Sequence, residues 1–183
     1  MHVTYWDQLG WKDPASLKLA TERQQTYGGI WGGDRVYTPQ AVIDGHEELV
    51  GSDESGVRRA IAKAAKQAHA RVDVRASLDG PSLAVDATVS DLPSEAREPV
   101  EAWMVITEDD LTSIVKRGEN GGRTLRHDAV VRVVFGGDLA SARMLGFHAQ
   151  LRPEWRRDHL RAVVFLQGKK TQRIWGAATT TLK

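Results

Sequence analysis

The hydrophobic pattern of this chain changes period near residue 70, and that change limits the folds open to it. Val57, Ala60, Ile61, Ala64, Ala65 and Ala68 recur at steps of three and four, the spacing that gathers side chains on one face of an α-helix. From Ala70 the period is two. Val72, Val74, Ala76 and Leu78 alternate, Asp79-Gly80-Pro81 turns the chain, and Leu83, Val85, Ala87 and Val89 alternate back, as strands of a half-buried sheet do. An α/β unit over residues 1–69 and an all-β unit over 70–183 follow, an α+β chain overall. Domains commonly hold roughly 100–150 residues, so 183 residues accommodate two small units.

In the first unit, His2-Val3-Thr4-Tyr5-Trp6-Asp7 is β-branched and aromatic and reads as a strand. Asp13-Pro14 reads as a helix start, with the carboxylate at the N-cap and proline at the first helical position. That helix is expected to reach Tyr27 and to stop at Gly28-Gly29, glycine being the usual left-handed residue past a helix end. Val36 to Gly51 reads as two strands turning at Asp44-Gly45, because both central turn positions take positive φ. Pro39 cannot donate to a ladder and marks an edge, a bulge or a tight entry, with a cis Thr38-Pro39 bond among the options. Ser52 or Asp53 then caps the Val57–Ala68 helix.

In the second unit, Val100 to Thr107 is almost wholly apolar and reads as a buried central strand. Strands are expected also at about Leu111–Val115, Leu125–Phe135, Arg143–Leu151, Leu160–Gln167 and Arg173–Leu182. Seven or eight short strands with turns between them point to an antiparallel β-sandwich.

Composition excludes more than it selects. Twenty-five Lys and Arg against 24 Asp and Glu leave a net charge of +1, so no global field argues for nucleic acid. A local basic bias over Arg152–Arg173, seven cations against Glu154 and Asp158, is what a solvated sheet face carries. No run of about 20 apolar residues spans a bilayer, and no basic-then-apolar leader is present in the chain as written. The six histidines show no zinc-ligand spacing, Ser, His and Asp stand in no nucleophile turn, and cysteine is absent. No cofactor, metal or catalytic residue is therefore expected.

Two clusters stand out as binding candidates. Tyr5, Trp6, Trp11, Tyr27, Trp31 and Tyr37 are six of the nine Tyr and Trp residues, all within the first 37 positions; they either floor a binding cleft or pack a small core. Lys116-Arg117-Gly118-Glu119-Asn120-Gly121-Gly122-Arg123 offers arginine forks and glycine amides to an anion, or is a hydrated loop.

Three phrases resemble a known family. Tyr5-Trp6-Asp7-Gln8-Leu9-Gly10-Trp11-Lys12-Asp13-Pro14 is very similar to the signature of domain of unknown function 1223, a bacterial, mostly secreted or periplasmic family of thioredoxin-like proteins. Val36-Tyr37-Thr38-Pro39-Gln40 with Asp44-Gly45 and Val50-Gly51-Ser52 resembles its second block. Arg117-Gly118-Glu119-Asn120, Gly122-Arg123-Thr124-Leu125 and Val130-Val131-Arg132 resemble its third. The resemblance implies an incomplete thioredoxin-like unit followed by the β-sandwich, a periplasmic or secreted location, and a protein or peptide thiol or disulfide as partner. Thr38 and Pro39 would present backbone to a substrate strand, and Tyr5, Trp6, Asp7 and Trp11 would line the cleft. Arg117, Glu119, Asn120 and Arg123 form a possible second site, the contact surface if the chain is instead a non-catalytic binding module working through the sandwich. The resemblance further implies an upstream strand and helix bearing Cys-x-x-Cys, and so a chain that starts after them, as a misplaced start or a fragment gives. In that layout the strand of His2–Asp7 and the strand of Ala41–Asp44 flank a missing central strand, at roughly 1–3 kcal/mol per orphaned buried group. A unit evolved without it would pair His2–Asp7 directly with Ala41–Asp44.

Overall fold

The computed structural model describes residues 1–33, 36–118, 120–139 and 143–182. The first helix, α1 (Lys18–Ile30), is followed by the hairpin β1 (Gln40–Ile43) and β2 (Glu47–Val50) and by α2 (Glu54–Ala64). The strands β3 (Arg71–Asp79), β4 (Ser82–Ser90), β5 (Val100–Glu108), β6 (Leu111–Ile114), β7 (Thr124–His127), β8 (Val130–Asp138), β9 (Met144–Gln150), β10 (Leu160–Gly168) and β11 (Ile174–Thr181) follow, with a short 3-10 turn at Arg157–His159. Among the described residues, apart from one isolated bridge, every strand pairing is antiparallel. The chain is thus α+β, rich in antiparallel sheet and sparing in helix.

The change of period falls where the sequence places it. β3 and β4 pair from Arg71↔Ser90 to Asp79↔Ser82 around Gly80-Pro81, and β9 adds to β4 to make a three-stranded sheet. A four-stranded sheet runs in the order β11-β10-β5-β8, and β6-β7 is a separate hairpin. Leu83, Val85 and Ala87 of β4, Met104 and Ile106 of β5, and Ala162 and Val164 of β10 meet in one buried cluster, so the larger two sheets share a core. β5 is nearly continuous in apolar residues because both its faces are covered: Met104 and Ile106 face that core, while the Trp103 ring stacks on Phe165 at 6.4 Å on the other side. Glu108, at the end of β5, is fully buried, and the Arg132 guanidinium meets it at 2.8 Å. What reads as one strand over Leu125–Phe135 is broken into β7 and β8 by Ala129 at φ 51.

The hairpin has Asp44 at φ 48 and Gly45 at φ 66, the pair of left-handed residues that Asp-Gly supplies at least cost. Its tip docks on the turn between β10 and β11: Ile174 N–H donates to Asp44 O at 2.7 Å, and a Cβ on Gly45 would collide with the Gln172 carbonyl oxygen. Thr38-Pro39 is cis. Asp53 caps α2, its carboxylate accepting from Gly56 N–H at 3.0 Å. This helix stops at Ala64, short of the Ala68 that the apolar spacing reaches, and His69 turns away to pair with Asp44 at 2.8 Å.

Three expectations for the N-terminal stretch are corrected. His2–Asp7 is no strand: it has one parallel bridge, His2 with Ser16, and then runs through turns. Its polar groups go to α1 instead of a ladder, Thr4 N–H donating to Thr21 Oγ1 at 2.9 Å and Tyr5 O–H to Gln24 Oε1 at 3.1 Å. Helix α1 begins at Lys18 with Leu17 at the N-cap, because the Asp13 carboxylate is already engaged by His2 and by Ala15 N–H. Finally, α1 runs through Gly28-Gly29 to Ile30, where the stacking of Tyr27 on Trp31 at 5.1 Å spans the glycines.

Replacing Gly45 with Ala forces a Cβ into Gln172 at a positive-φ position and is expected to cost at least ~2 kcal/mol of stability. Urea denaturation checks this; a midpoint within error of the parent would show that the hairpin tip is not docked on the β10–β11 turn.

Candidate functional site

A cleft of about 1070 Å³ opens between the N-terminal segment, α1, the hairpin and the outer face of the four-stranded sheet. That volume lies at the top of the range for small-molecule sites. Its walls come from three separate stretches of the chain: Trp6, Asp7 and Trp11 from the N-terminal segment, Arg23 and Tyr27 from α1, and Thr38, Pro39 and Val42 around β1; then Arg117 and Asn120 from the loop after β6; then Val163, Phe165 and Ile174 from β10 and β11.

Trp6, Trp11 and Tyr27 of one candidate cluster and Arg117, Gly118 and Asn120 of the other therefore line one cavity, while Trp31 and Tyr37 stand outside it. Trp6 Nε1–H donates to Thr38 Oγ1 at 3.0 Å, which ties the aromatic segment to the Pro39 loop. Asp7 accepts from Asp13 N–H at 3.1 Å and from Ser16 Oγ at 2.7 Å, so its carboxylate braces the segment. Tyr5 stands outside the lining, with its hydroxyl on Gln24. Arg123 also stands outside it; its guanidinium donates to Asn120 Oδ1 at 3.4 Å. Glu119 lies outside the described residues. The loop is closed on itself, Val115 N–H donating to Arg123 O, Gly121 N–H to Gly118 O and Gly122 N–H to Val115 O, so these glycine amides are used within it. It presses on the N-terminal segment: a Cβ on Gly118 would lie 2.8 Å from Leu9 O.

Sequence reading missed the residues that hold the cleft together. Gln167 on β10 is fully buried; its Oε1 accepts from Arg23 Nη1 at 3.0 Å, and its Nε2 donates to Tyr27 Oη at 2.7 Å and to Gln172 O at 2.8 Å. The Arg23 guanidinium lies over the rings of Trp103, Phe165 and Tyr27 at 5.2, 5.5 and 5.9 Å. Burial pushes the Tyr27 hydroxyl up from its ordinary pKa, and the Arg23 charge offsets part of that. These contacts span about 140 residues, and no local spacing encodes them. Between His2–Asp7 and β1, both of which contribute to the lining, no ladder forms among the described residues.

On one wall, His2 Nδ1 meets Asp13 Oδ2 at 2.5 Å, and the His2 ring stands edge-on to His127 with centroids 5.0 Å apart. His127 Nε2 is buried without a partner. Burial, and then repulsion from His2, lower the His127 pKa, with Asp13 working the other way. Asp13 is itself held below the ordinary carboxylate value: burial opposes this, but hydrogen bonds from His2 and Ala15 N–H and the charges of His2 and His127 outweigh it. Among the described residues no group of three His, Asp or Glu is placed to hold a metal ion, and no helix is long and apolar enough to cross a membrane.

The sequence profile of the family described as protein of unknown function (DUF1223) matches residues 1–167. The chain belongs to this family. Among solved structures it is similar to protein AGR_C_4864 from Agrobacterium tumefaciens, at 23% identity and a TM-score of 0.68, covering 100% of this chain and 78% of that one; this likeness is one of fold. It is more remotely similar to a domain of the outer membrane lipoprotein Omp28 from Porphyromonas gingivalis, at 12% identity and a TM-score of 0.47 over 63% of this chain and 89% of that one. HBP35 of the same organism matches at 13% identity and a TM-score of 0.49 over 69% and 46%. No curated protein matches.

Because the folded-state pKa of His127 is below the ordinary 6.5, the folded form binds fewer protons than the unfolded one, and stability falls as pH drops through 6.5. The expected result is a loss of stability as pH is lowered below 6.5 that is smaller in His127→Phe. The Asp13 contribution is present above its ordinary 3.8 and lost only below that, so it does not enter between the two values. Parallel slopes for parent and variant in thermal melts across that range would contradict the assignment.

Proposed function

We propose that this chain supplies the substrate-holding cleft of a thioredoxin-like envelope protein acting on protein or peptide thiols and disulfides. Residues 1–69 form the incomplete thioredoxin-like part, and residues 70–183 form a β-sandwich whose outer face walls the cleft. The observation that carries this reading is the convergence of Trp6, Asp7, Trp11, Thr38 and Pro39 with Arg117 and Asn120 on one cavity. An extended polypeptide suits such a place: the aromatic rings offer large apolar surface at little cost in side-chain entropy, and β1 is a short strand paired on one side by β2. The envelope location rests on the family resemblance alone.

Chemistry is another matter. In thiol–disulfide exchange a thiolate attacks one sulfur of a disulfide and the other sulfur leaves as a thiolate. This chain contains no cysteine, so the attacking sulfur comes from outside it, and the 183 residues bind without reacting. The loop of Arg117 and Asn120 lining the cleft favours a second reading in the same direction, a binding module with no redox step.

Binding is tested by calorimetric titration with end-capped hexapeptides of alternating valine and threonine, whose backbone favours the extended form. Trp6 is 42% exposed in the cleft, and Trp6→Ala is expected to weaken binding by about ten-fold, the effect of losing an aromatic anchor. The same preparation is expected to reduce no insulin. Absence of binding to any of the peptides would sink the reading, and insulin turnover would overturn the account of the missing thiol.

A further inference from the structure

The charged side chains that line the cleft among the described residues are His2, Asp7, Asp13, Arg23, Asp44 and Arg117. Five of the six are engaged by the protein itself. His2 pairs with Asp13, Asp7 accepts from Asp13 N–H and Ser16, Asp44 pairs with His69, and Arg23 is bonded to Gln167 and enclosed by three rings. Arg117 has no ion pair or side-chain hydrogen bond among the described residues.

Its place is nonetheless fixed. Val115, two residues earlier, is buried, and its N–H and C=O close the loop onto Arg123 and Gly122. Gly118, one residue later, sits at φ 83 with its backbone so near Leu9 that a Cβ would lie 2.8 Å from the carbonyl oxygen. The loop is thereby pinned to the N-terminal segment, with Arg117 on the cleft. An arginine kept at a cavity wall with an unused fork of donors is suited to a planar carboxylate. The other lining charges decide between anions. Asp7, Asp13 and Asp44 stand against three cations, Arg23, Arg117 and the Met1 ammonium, so no surplus positive charge is left for the second charge of a phosphate, whereas a single carboxylate needs only its arginine.

We infer that the cleft selects a peptide segment bearing a carboxylate side chain, which Arg117 takes while neighbouring apolar side chains lie against Val163, Phe165 and Ile174. This deepens the peptide-binding reading and rests on it. Acidic residues flanked by β-branched ones are then the preferred ligand class.

The test uses end-capped valine–threonine hexapeptides with one central glutamate, and the same peptides with glutamine there, titrated calorimetrically into the full chain and into Arg117→Gln. The glutamate peptide is expected to bind about ten-fold more tightly than the glutamine one, as a charge-assisted hydrogen bond gives. The preference is expected to vanish in Arg117→Gln, to return in part in Arg117→Lys, and to shrink as salt is raised. Circular dichroism and the thermal midpoint are expected to stay at parental values in both variants, since Arg117 has no ion pair or side-chain hydrogen bond among the described residues. Equal affinity of the parent for both peptides, or a preference that survives Arg117→Gln, would overturn the inference while leaving peptide binding intact. If neither peptide binds, the peptide-binding reading falls, and this inference with it.

Discussion

Gln167 occupies a position on the outer face of β10 where a polar side chain is affordable only if every one of its hydrogen bonds is made. Its oxygen accepts one bond and its nitrogen donates two, and two of the partners, Arg23 and Tyr27, belong to α1. The third is the carbonyl of Gln172, in the turn against which the hairpin tip docks. One buried amide thus fastens the helix, the hairpin and the four-stranded sheet to one another. Separating α1 from the sheet would orphan the amide and strip Arg23 of the Trp103 and Phe165 rings, at roughly 1–3 kcal/mol for each buried polar group left without a partner.

The cleft depends on that fastening. Its floor is apolar sheet, Val163 and Phe165, and its sides are α1 and the hairpin; without Arg23 and Tyr27 on Gln167 those sides have no fixed distance from the floor. The N-terminal segment closes a further side, and it holds its shape through short polar links, Thr4 to Thr21, Asp7 to Ser16, His2 to Asp13 and Trp6 to Thr38, rather than through a ladder. A cavity bounded this way is chemically mixed. Most of its charges are consumed in bracing the walls, which is why the single uncommitted arginine weighs so heavily in what the cleft can recognise.

Much of the architecture was legible in the sequence for physical reasons. The Asp44-Gly45 turn, the Asp53 cap and the alternation across Gly80-Pro81 are local signals, and local chemistry decides them. The N-terminal stretch misled because β-branched and aromatic residues favour a strand only where a neighbour exists to pair with, and Thr4 and Tyr5 found α1 instead. The Asp13-Pro14 helix start failed for a related cause: the carboxylate that would cap the helix is bonded to His2 and Ala15. Trp6, Trp11, Pro39 and Arg117 were visible as separate candidates, but their meeting in one cleft was not, since it depends on Arg23 and Gln167, 144 residues apart. Nothing in the spacing of Gln167 within a largely apolar strand indicates that its partners lie on a distant helix.

Native-state hydrogen exchange tests most directly whether this buried amide holds the cleft together. With the helix locked to the sheet, amides from Ala20 to Tyr27 are expected to open with the same free energy as those of β5 and β10, and Gln167→Leu is expected to lower the α1 values selectively by about 2 kcal/mol. If α1 in the parent chain exchanges independently of the sheet, at a much lower opening free energy, then the lock does not exist and the cleft is not a fixed site.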